Sequence, residues 1–265
     1  MFRFLCLLYL LLHSYHISAQ SAYCKDKPLS LAFFTYGYLY QDNDTGIDAD
    51  FVTVLRERTG CQIITEVQHR ARTWYGLSKG LLDMATTGIR NDEREAHSWF
   101  LPYMQLKNLA LIPSYLYSEQ QSSAGFLADR NLYFGVVRGF IHGNEQDSII
   151  EQLVKAERII SFPDAATLFE ALKRGRIHGL FSQAPVYRYY LDEELKQGRF
   201  KVVDWAPDAK GAVHHLVLQR KSFSAAQAEA WQQLLAQLKT EGVLTAIFSK
   251  YLTEEEVKQT ELTAD

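Results

Sequence analysis

Short apolar runs of strand character alternate with helix-patterned segments through most of this chain, and that alternation confines its fold more than any other feature. "LSLAFF" (Leu29–Phe34) is the first run, and the turn-rich "QDNDTG" separates it from "IDADFVTVLRERTG". In that segment Phe51, Val54, Leu55 and Arg58 recur at helical spacing, Asp48 suits an N-cap and Gly60 ends the helix. "QIITEV" reads as a second strand, "RTWYGLSKG" as a short helix stopped by Gly80, and "DMATT" as a third strand. Strands separated by helices imply a parallel α/β sheet, because a parallel partner needs a crossover to carry the chain back to the same end.

The chain also echoes itself. "YGLSKGLLDMATTG" and, further on, "EALKRGRIHGLFSQ" (Glu170–Gln183) share one order: helix, basic residue, glycine, strand. The pattern is common in α/β proteins, but it fits two similar lobes better than one long sheet. The polar, turn-prone "SYLYSEQQSSAGFLADRN" between the echoes is a place for a lobe boundary, and "LYFGVVRG" opens a fresh strand–turn–helix series. After "FKVVDW" and a loop containing Pro207, "HHLVLQR" reads as one more strand. The tail is helical, with Trp231, Leu234, Leu235 and Leu238 on one face.

Arg3 precedes a short apolar run, "FLCLLYLLL", and then the small and polar "HSYHISAQSA". A basic start, an apolar core too short to span a bilayer and small residues at a cut describe a secretory leader over residues 1–19, with Ala22 the second choice of cleavage site. A short membrane anchor is the alternative. A lipoprotein is disfavoured, because Tyr23 precedes Cys24 where a small residue is needed. Arg3 is the only charged residue in the leader, so 246 residues remain with 27 basic and 31 acidic side chains, a net charge of −4. So mild a balance argues against a nucleic-acid partner. Removing Cys6 with the leader leaves Cys24 and Cys61, and an even count in an exported chain favours a bridge. Each lies just ahead of a predicted strand, so neighbouring parallel strands would bring them together; two buried thiols are the alternative. No His or Cys spacing suits a metal, and no cofactor is expected.

Five segments in register, "GIDADFVTVLRERTG", "GLSKGLLDMATTGIRNDERE", "WFLPY", "FGVVRGF" and "LLAQLKTEGVLTAIFSKYL", resemble the bacterial periplasmic solute-binding proteins of extracellular family 3, the amino-acid-type receptors of ATP-driven importers. The resemblance covers nearly the whole exported chain. It implies a two-lobed periplasmic-binding-protein fold of type II, each lobe a mostly parallel sheet flanked by helices, joined by two crossover strands. Lobe 1 takes residues 23–112 plus 208–265, and lobe 2 residues 113–207, with the ligand in the cleft between them. Ligands in open α/β sheets sit beyond the carboxyl ends of the strands, which is where Thr86–Arg94 falls.

The family pattern puts backbone N–H groups at Thr87 and Gly88 against the ligand and makes Arg94 a bidentate clamp on its carboxylate, for which a planar guanidinium is suited. Arg90 reads as a surface charge beside Asp92. Among Tyr36, Tyr38 and Tyr40 the resemblance places an aromatic wall, with Tyr36 and Tyr38 the candidates and Trp74 the opposing wall. Gly139 and Phe140 fall on a lobe 2 loop that touches ligand in the family, with phenylalanine keeping the backbone donor and losing a hydroxyl. The acid that pairs with a ligand's α-ammonium is replaced by Gln183, which cannot neutralise a buried cation. The expected ligand is therefore carboxylate-bearing or otherwise anionic, and not necessarily an α-amino acid.

The resemblance further implies a monomeric periplasmic receptor whose partner is an ABC permease or a membrane sensor. A secreted dehydratase of prephenate-like or arogenate-like substrates is the alternative from the same fold. It would need a tuned acid or base in the cleft, for which Glu66, His69 and His142 are the candidates. His214 and His215 are adjacent on a predicted strand and point to opposite faces, so they do not form a joint metal site. The chain is expected to be a binder rather than an enzyme.

Overall fold

The computed structural model describes residues 22–41, 43–118 and 122–262; the expected leader, residues 1–19, lies outside them. The first half runs β1 (Leu29–Phe33), α1 (Ile47–Thr59), β2 (Ile63–Val67), α2 (Arg70–Lys79), β3 (Met84–Gly88), α3 (Asp92–Glu95) and β4 (Ser98–Leu106). The middle continues with β5 (Leu109–Pro113), α4 (Ser123–Ala128), β6 (Phe134–Val137), α5 (Asn144–Lys155), β7 (Ile159–Phe162), α6 (Ala165–Lys173), β8 (Gly179–Ser182), α7 (Ala184–Lys196) and β9 (Phe200–Val203). The chain closes with β10 (Ala212–Gln219), α8 (Ala225–Thr240), α9 (Val243–Phe248) and α10 (Glu254–Thr260).

Two five-stranded sheets result, ordered β2-β1-β3-β10-β4 and β7-β6-β8-β5-β9. Position by position they follow one plan. Three parallel strands are followed by one antiparallel strand delivered from the other lobe, and then by the last strand of the home lobe. The sequence echo has its cause here, since β3 and β8 hold the same place in their sheets.

β5, the "LALIP" segment, pairs with β8 and β9 and so belongs to the second sheet. The first passage between lobes is therefore at Lys107 and Asn108, ahead of the boundary expected after residue 112. The return runs between β9 and β10 and contains the expected 207/208 boundary. An apolar strand joining two lobes looks the same in sequence whichever sheet it pairs with, and only register decides.

Local chemistry explains the main elements. Gly60 ends α1 in the left-handed conformation (φ 68°), as read from sequence. Asp48 does not cap α1; Gly46 holds that position, and the Asp48 carboxylate turns inward within the first helical turn. Ser224 and Gln227 form a reciprocal capping box at α8. On that helix Trp231, Leu234, Leu235 and Leu238 are all buried, each such leucine contributing about 1.5–3 kcal/mol of transfer free energy. Pro102 sits within β4, which is tolerable because β4 is an edge strand and its partner β10 shifts register between His214 and His215 beside it.

Parallel pairing of β1 with β2 brings Leu29 opposite Ile63. It also sets Cys24 and Cys61 5.3 Å apart at Cα, where they form the expected disulfide.

Candidate functional site in the interlobe cleft

The site starts at α2. Arg70 and Trp74 are one helical turn apart and so share a face, and both line a cavity between the lobes. Trp74 lies across the end of β3, which is possible because residue 88 has no side chain. A Cβ on Gly88 would stand 2.2 Å from the Val217 methyl and 3.2 Å from the Trp74 ring. Arg94, from the single turn of α3, lays its guanidinium over the Trp74 indole at 3.8 Å from the ring centroid. Asn91 caps that turn by accepting from the Arg94 amide at 2.9 Å, which fixes the base of the arginine. Its Nη1 donates to the Ile89 carbonyl at 2.8 Å, and its Nη2 reaches across to the Gly139 carbonyl in the other lobe at 3.5 Å.

Lobe 2 meets these groups with Gly139, Phe140, Ile141, His142 and Gln183. Gly139 adopts φ 79°, a conformation that favours glycine, and this turns its carbonyl toward Arg94. The Phe140 ring packs edge-on against Tyr36 (5.0 Å between centroids) and Phe34 (5.4 Å). Gln183 and His214 join the lobes through their side chains at 2.9 Å, with the amide nitrogen donating to the ring nitrogen. The lobes are pressed together, and the cavity they enclose has a free volume of about 30 Å³, water-sized rather than solute-sized.

The electrostatics are one-sided. Arg70 and Arg94 line the cavity, and no carboxylate among the described residues does. Burial, and then the charge of Arg70, lowers the Arg94 pKa to about 10, so its guanidinium stays charged at neutral pH; burial lowers Arg70 as well, with the Asp48 charge opposing it. Burial pushes His214 down to about 3, with Arg70 and His215 acting in the same direction, so its ring is neutral. Behind the cavity, Asp48 is buried and receives hydrogen bonds from the Thr87 hydroxyl and from the Tyr103 hydroxyl, the latter at 2.6 Å. Burial raises its pKa, while those bonds and the Arg70 charge pull the other way.

The structure brings Arg94, Trp74, Tyr36, Thr87, Gly139, Phe140 and Gln183 to one cavity. Four expectations need correction. Thr87 stands at φ 56°, which aims its amide at the Tyr103 hydroxyl (3.1 Å), so neither that N–H nor its hydroxyl is free for a guest. Gly88 does not line the cavity; its carbonyl accepts from His215 Nδ1 at 2.9 Å, and its contribution is the space it leaves for Trp74. Tyr38 points away, because the tight turn at Gly37–Leu39 carries it to the outer face against Tyr189 (5.4 Å) and Tyr251 (6.1 Å). The Phe140 amide is also engaged, donating to the Val137 carbonyl at 3.2 Å.

Arg70, Asn108 and Ile141 line the cavity without having been expected there. The i, i+4 spacing of Arg70 and Trp74 was the available signal. Asn108 carried none, since its place depends on the crossing, where its side chain donates to the His142 carbonyl at 2.6 Å. Of the three acid–base candidates, His142 lines this cavity, whereas Glu66 and His69 line a separate groove with Arg72 and Asp164. His214 faces the cavity and His215 an outer groove.

No protein-family model and no curated protein sequence matches the chain. Solved structures do. An ancestral arginine-binding protein bound to glutamine is 16% identical with a TM-score of 0.70, over 87% of this chain and 100% of that one. The arginine-, lysine-, histidine-binding protein ArtJ from Geobacillus stearothermophilus is 15% identical with a TM-score of 0.71, over 88% and 100%. AncCDT-1, an ancestral amino acid-binding protein described as a precursor of cyclohexadienyl dehydratase, is 20% identical with a TM-score of 0.70, over 85% and 96%. At such identities the likeness speaks for the fold alone: the chain shares the two-lobed architecture of these binding proteins.

Proposed function

We propose that the protein is a periplasmic receptor that closes on a small carboxylate-bearing or otherwise anionic solute, an amino acid or a related acid, in the interlobe cleft. The reading rests above all on Arg94, stacked on Trp74 in a cavity that no carboxylate among the described residues lines. A guest carboxylate would take the guanidinium's fork in place of the Gly139 carbonyl, and exclusion of water by the closing lobes would strengthen the pair. Tyr36 and Phe140 supply aromatic surface beside it. Gln183 is neutral where an ammonium would need a counter-charge, which favours guests whose charge is carried by acid groups.

Export follows from the leader read over residues 1–19, and the liganded, closed shape would be handed to an ABC permease. A membrane sensor would recognise the same shape. That second partner has some support in a similar structure described as a histidine kinase sensor domain, 13% identical with a TM-score of 0.69 over 85% of this chain and 96% of that one. The dehydratase alternative is weakened because two of its three acid–base candidates face a different groove. Prephenate incubated with the protein should yield no phenylpyruvate.

Isothermal titration of the exported chain against the twenty amino acids and a set of small organic acids tests the receptor reading. At least one acid should bind with a dissociation constant near the micromolar range, about −8 kcal/mol. Arg94→Ala should weaken it on the order of 30-fold or more, the cost of removing one partner of a buried charge pair, with the fold intact. Unchanged affinity in that variant would remove Arg94 from the site.

A further inference from the structure

The cleft holds a second guanidinium. Arg70 is 8% exposed and lines the cavity, yet its one hydrogen bond among the described residues is from Nη1 to the Thr86 carbonyl at 3.2 Å. A guanidinium carries five N–H donors, so most of its capacity has no taker. The carboxylate beneath it, Asp48, already receives the hydroxyls of Thr87 and Tyr103. Arg70 is instead packed on rings, 4.9 Å from the Phe34 centroid and 5.9 Å from that of Phe140. Arg94 stands on a different ring, Trp74. Two cations therefore share one cavity on separate aromatic supports, and although the Asp48 charge favours the charged form of Arg70, their mutual repulsion is relieved when negative charge comes between them. Gln183 is 3% exposed and its Oε1 has no hydrogen-bond partner among the described residues, an acceptor that calls for a donor on the guest rather than for charge.

We propose that the guest is a short-chain dicarboxylate, with one carboxylate on Arg94 and the other on Arg70, and with Gln183 Oε1 accepting from a hydroxyl between them where the guest has one. This rests on the reading of the cleft as an anion receptor and narrows it. Separate supports for the two guanidiniums fit two anionic ends better than a single tetrahedral anion.

The test is isothermal titration of the exported chain with succinate, malate, butyrate, L-alanine and orthophosphate at one ionic strength. It is repeated on Arg70→Gln, which loses the charge, and on Arg70→Lys, which keeps the charge and loses the fork. Succinate or malate should bind at least about 30-fold more tightly than butyrate, as expected for a second buried charge pair. Arg70→Gln should shrink that ratio to within about threefold by weakening the diacids far more than butyrate or alanine, and Arg70→Lys should fall between. Circular dichroism checks that the variants are folded; if Arg70→Gln is not, the wild-type ratio and Arg70→Lys decide.

Equal affinity for mono- and diacids, equal weakening of both in Arg70→Gln, or preference for orthophosphate would overturn the dicarboxylate. Monoacids binding through Arg94 with no diacid preference would leave the receptor reading standing and this one refuted. Failure of every probe to bind would count against both.

Discussion

Gly37 offers a way to oppose closure without touching the cavity. It belongs to the turn after β1, in lobe 1, and presses against α7 of lobe 2. A Cβ built on it would stand 2.8 Å from the Val186 Cα, 2.9 Å from the Pro185 carbonyl oxygen and 3.3 Å from the Tyr189 Cβ. Two of those neighbours are backbone, so the overlap cannot be relieved by a rotamer change and would push the lobes apart. Overpacking of this kind costs about 1–3 kcal/mol, and here the cost falls on the closed arrangement alone. Ligand affinity in Gly37→Ala should therefore drop by about 5- to 150-fold. The substitution also strains the backbone, because Gly37 has φ 60°, but that strain of about 1–2 kcal/mol is common to open and closed forms. Gly60→Ala is the matched control: φ is 68° there and an added Cβ meets nothing within 4 Å. Calorimetry with the best-binding acid measures affinity, thermal melting measures strain, and small-angle scattering measures how far the liganded lobes close. Both variants should lose similar stability, and only Gly37→Ala should lose affinity. Equal affinity in Gly37→Ala and Gly60→Ala would refute the idea that binding needs this packing of lobe on lobe.

Three further outcomes follow from the same structure. Reducing the Cys24–Cys61 disulfide, which spans a sequence separation of 37, should destabilise the fold by about 4 kcal/mol on loop-closure grounds, read as a lower urea midpoint; an unchanged midpoint would contradict it. His214 refuses a proton in the folded state until about pH 3 but accepts one near 6.5 when unfolded, so its contribution to stability is complete above 6.5 and is lost as pH falls toward 3. Urea titrations across that window should show the loss, and His214→Gln should flatten it; an identical pH slope in the variant would count against a neutral buried ring. Gly88→Ala forces a methyl toward Val217, a buried and branched side chain, and should cost about 1–3 kcal/mol while displacing Trp74 and with it Arg94. A stability and ligand affinity equal to the parent's would show that Trp74 does not rest on that glycine.

The architecture was legible because its determinants are local. Alternating apolar runs, Gly60 and Gly80 as helix stops, and the Trp231–Leu238 face each follow from backbone or solvent preferences of nearby residues, and each is present in the structure. The disulfide was legible for a related reason, since parallel neighbours align their starts. What stayed hidden depends on which partner a segment meets. "LALIP" reads as a strand in either lobe, and Asn108 reaches the cavity only because the chain changes sheets beside it. Tyr38 and Thr87 show the limit from the other side. Both lie in the right segment, but a tight turn rotates one away and a positive φ commits the other to Tyr103 and Asp48. Arg70 was concealed by its type, because an arginine at the start of a helix looks like a solvated charge until Phe34 and Phe140 are seen to enclose it.

A crystal structure of the exported chain with its tightest-binding acid addresses the central claim most directly. The expected result is a carboxylate within about 2.7–2.9 Å of two Arg94 nitrogens, the guanidinium still over Trp74 and both lobes in contact with the guest. An acid bound elsewhere, or Arg94 turned to bulk solvent beside an occupied cleft, would contradict it.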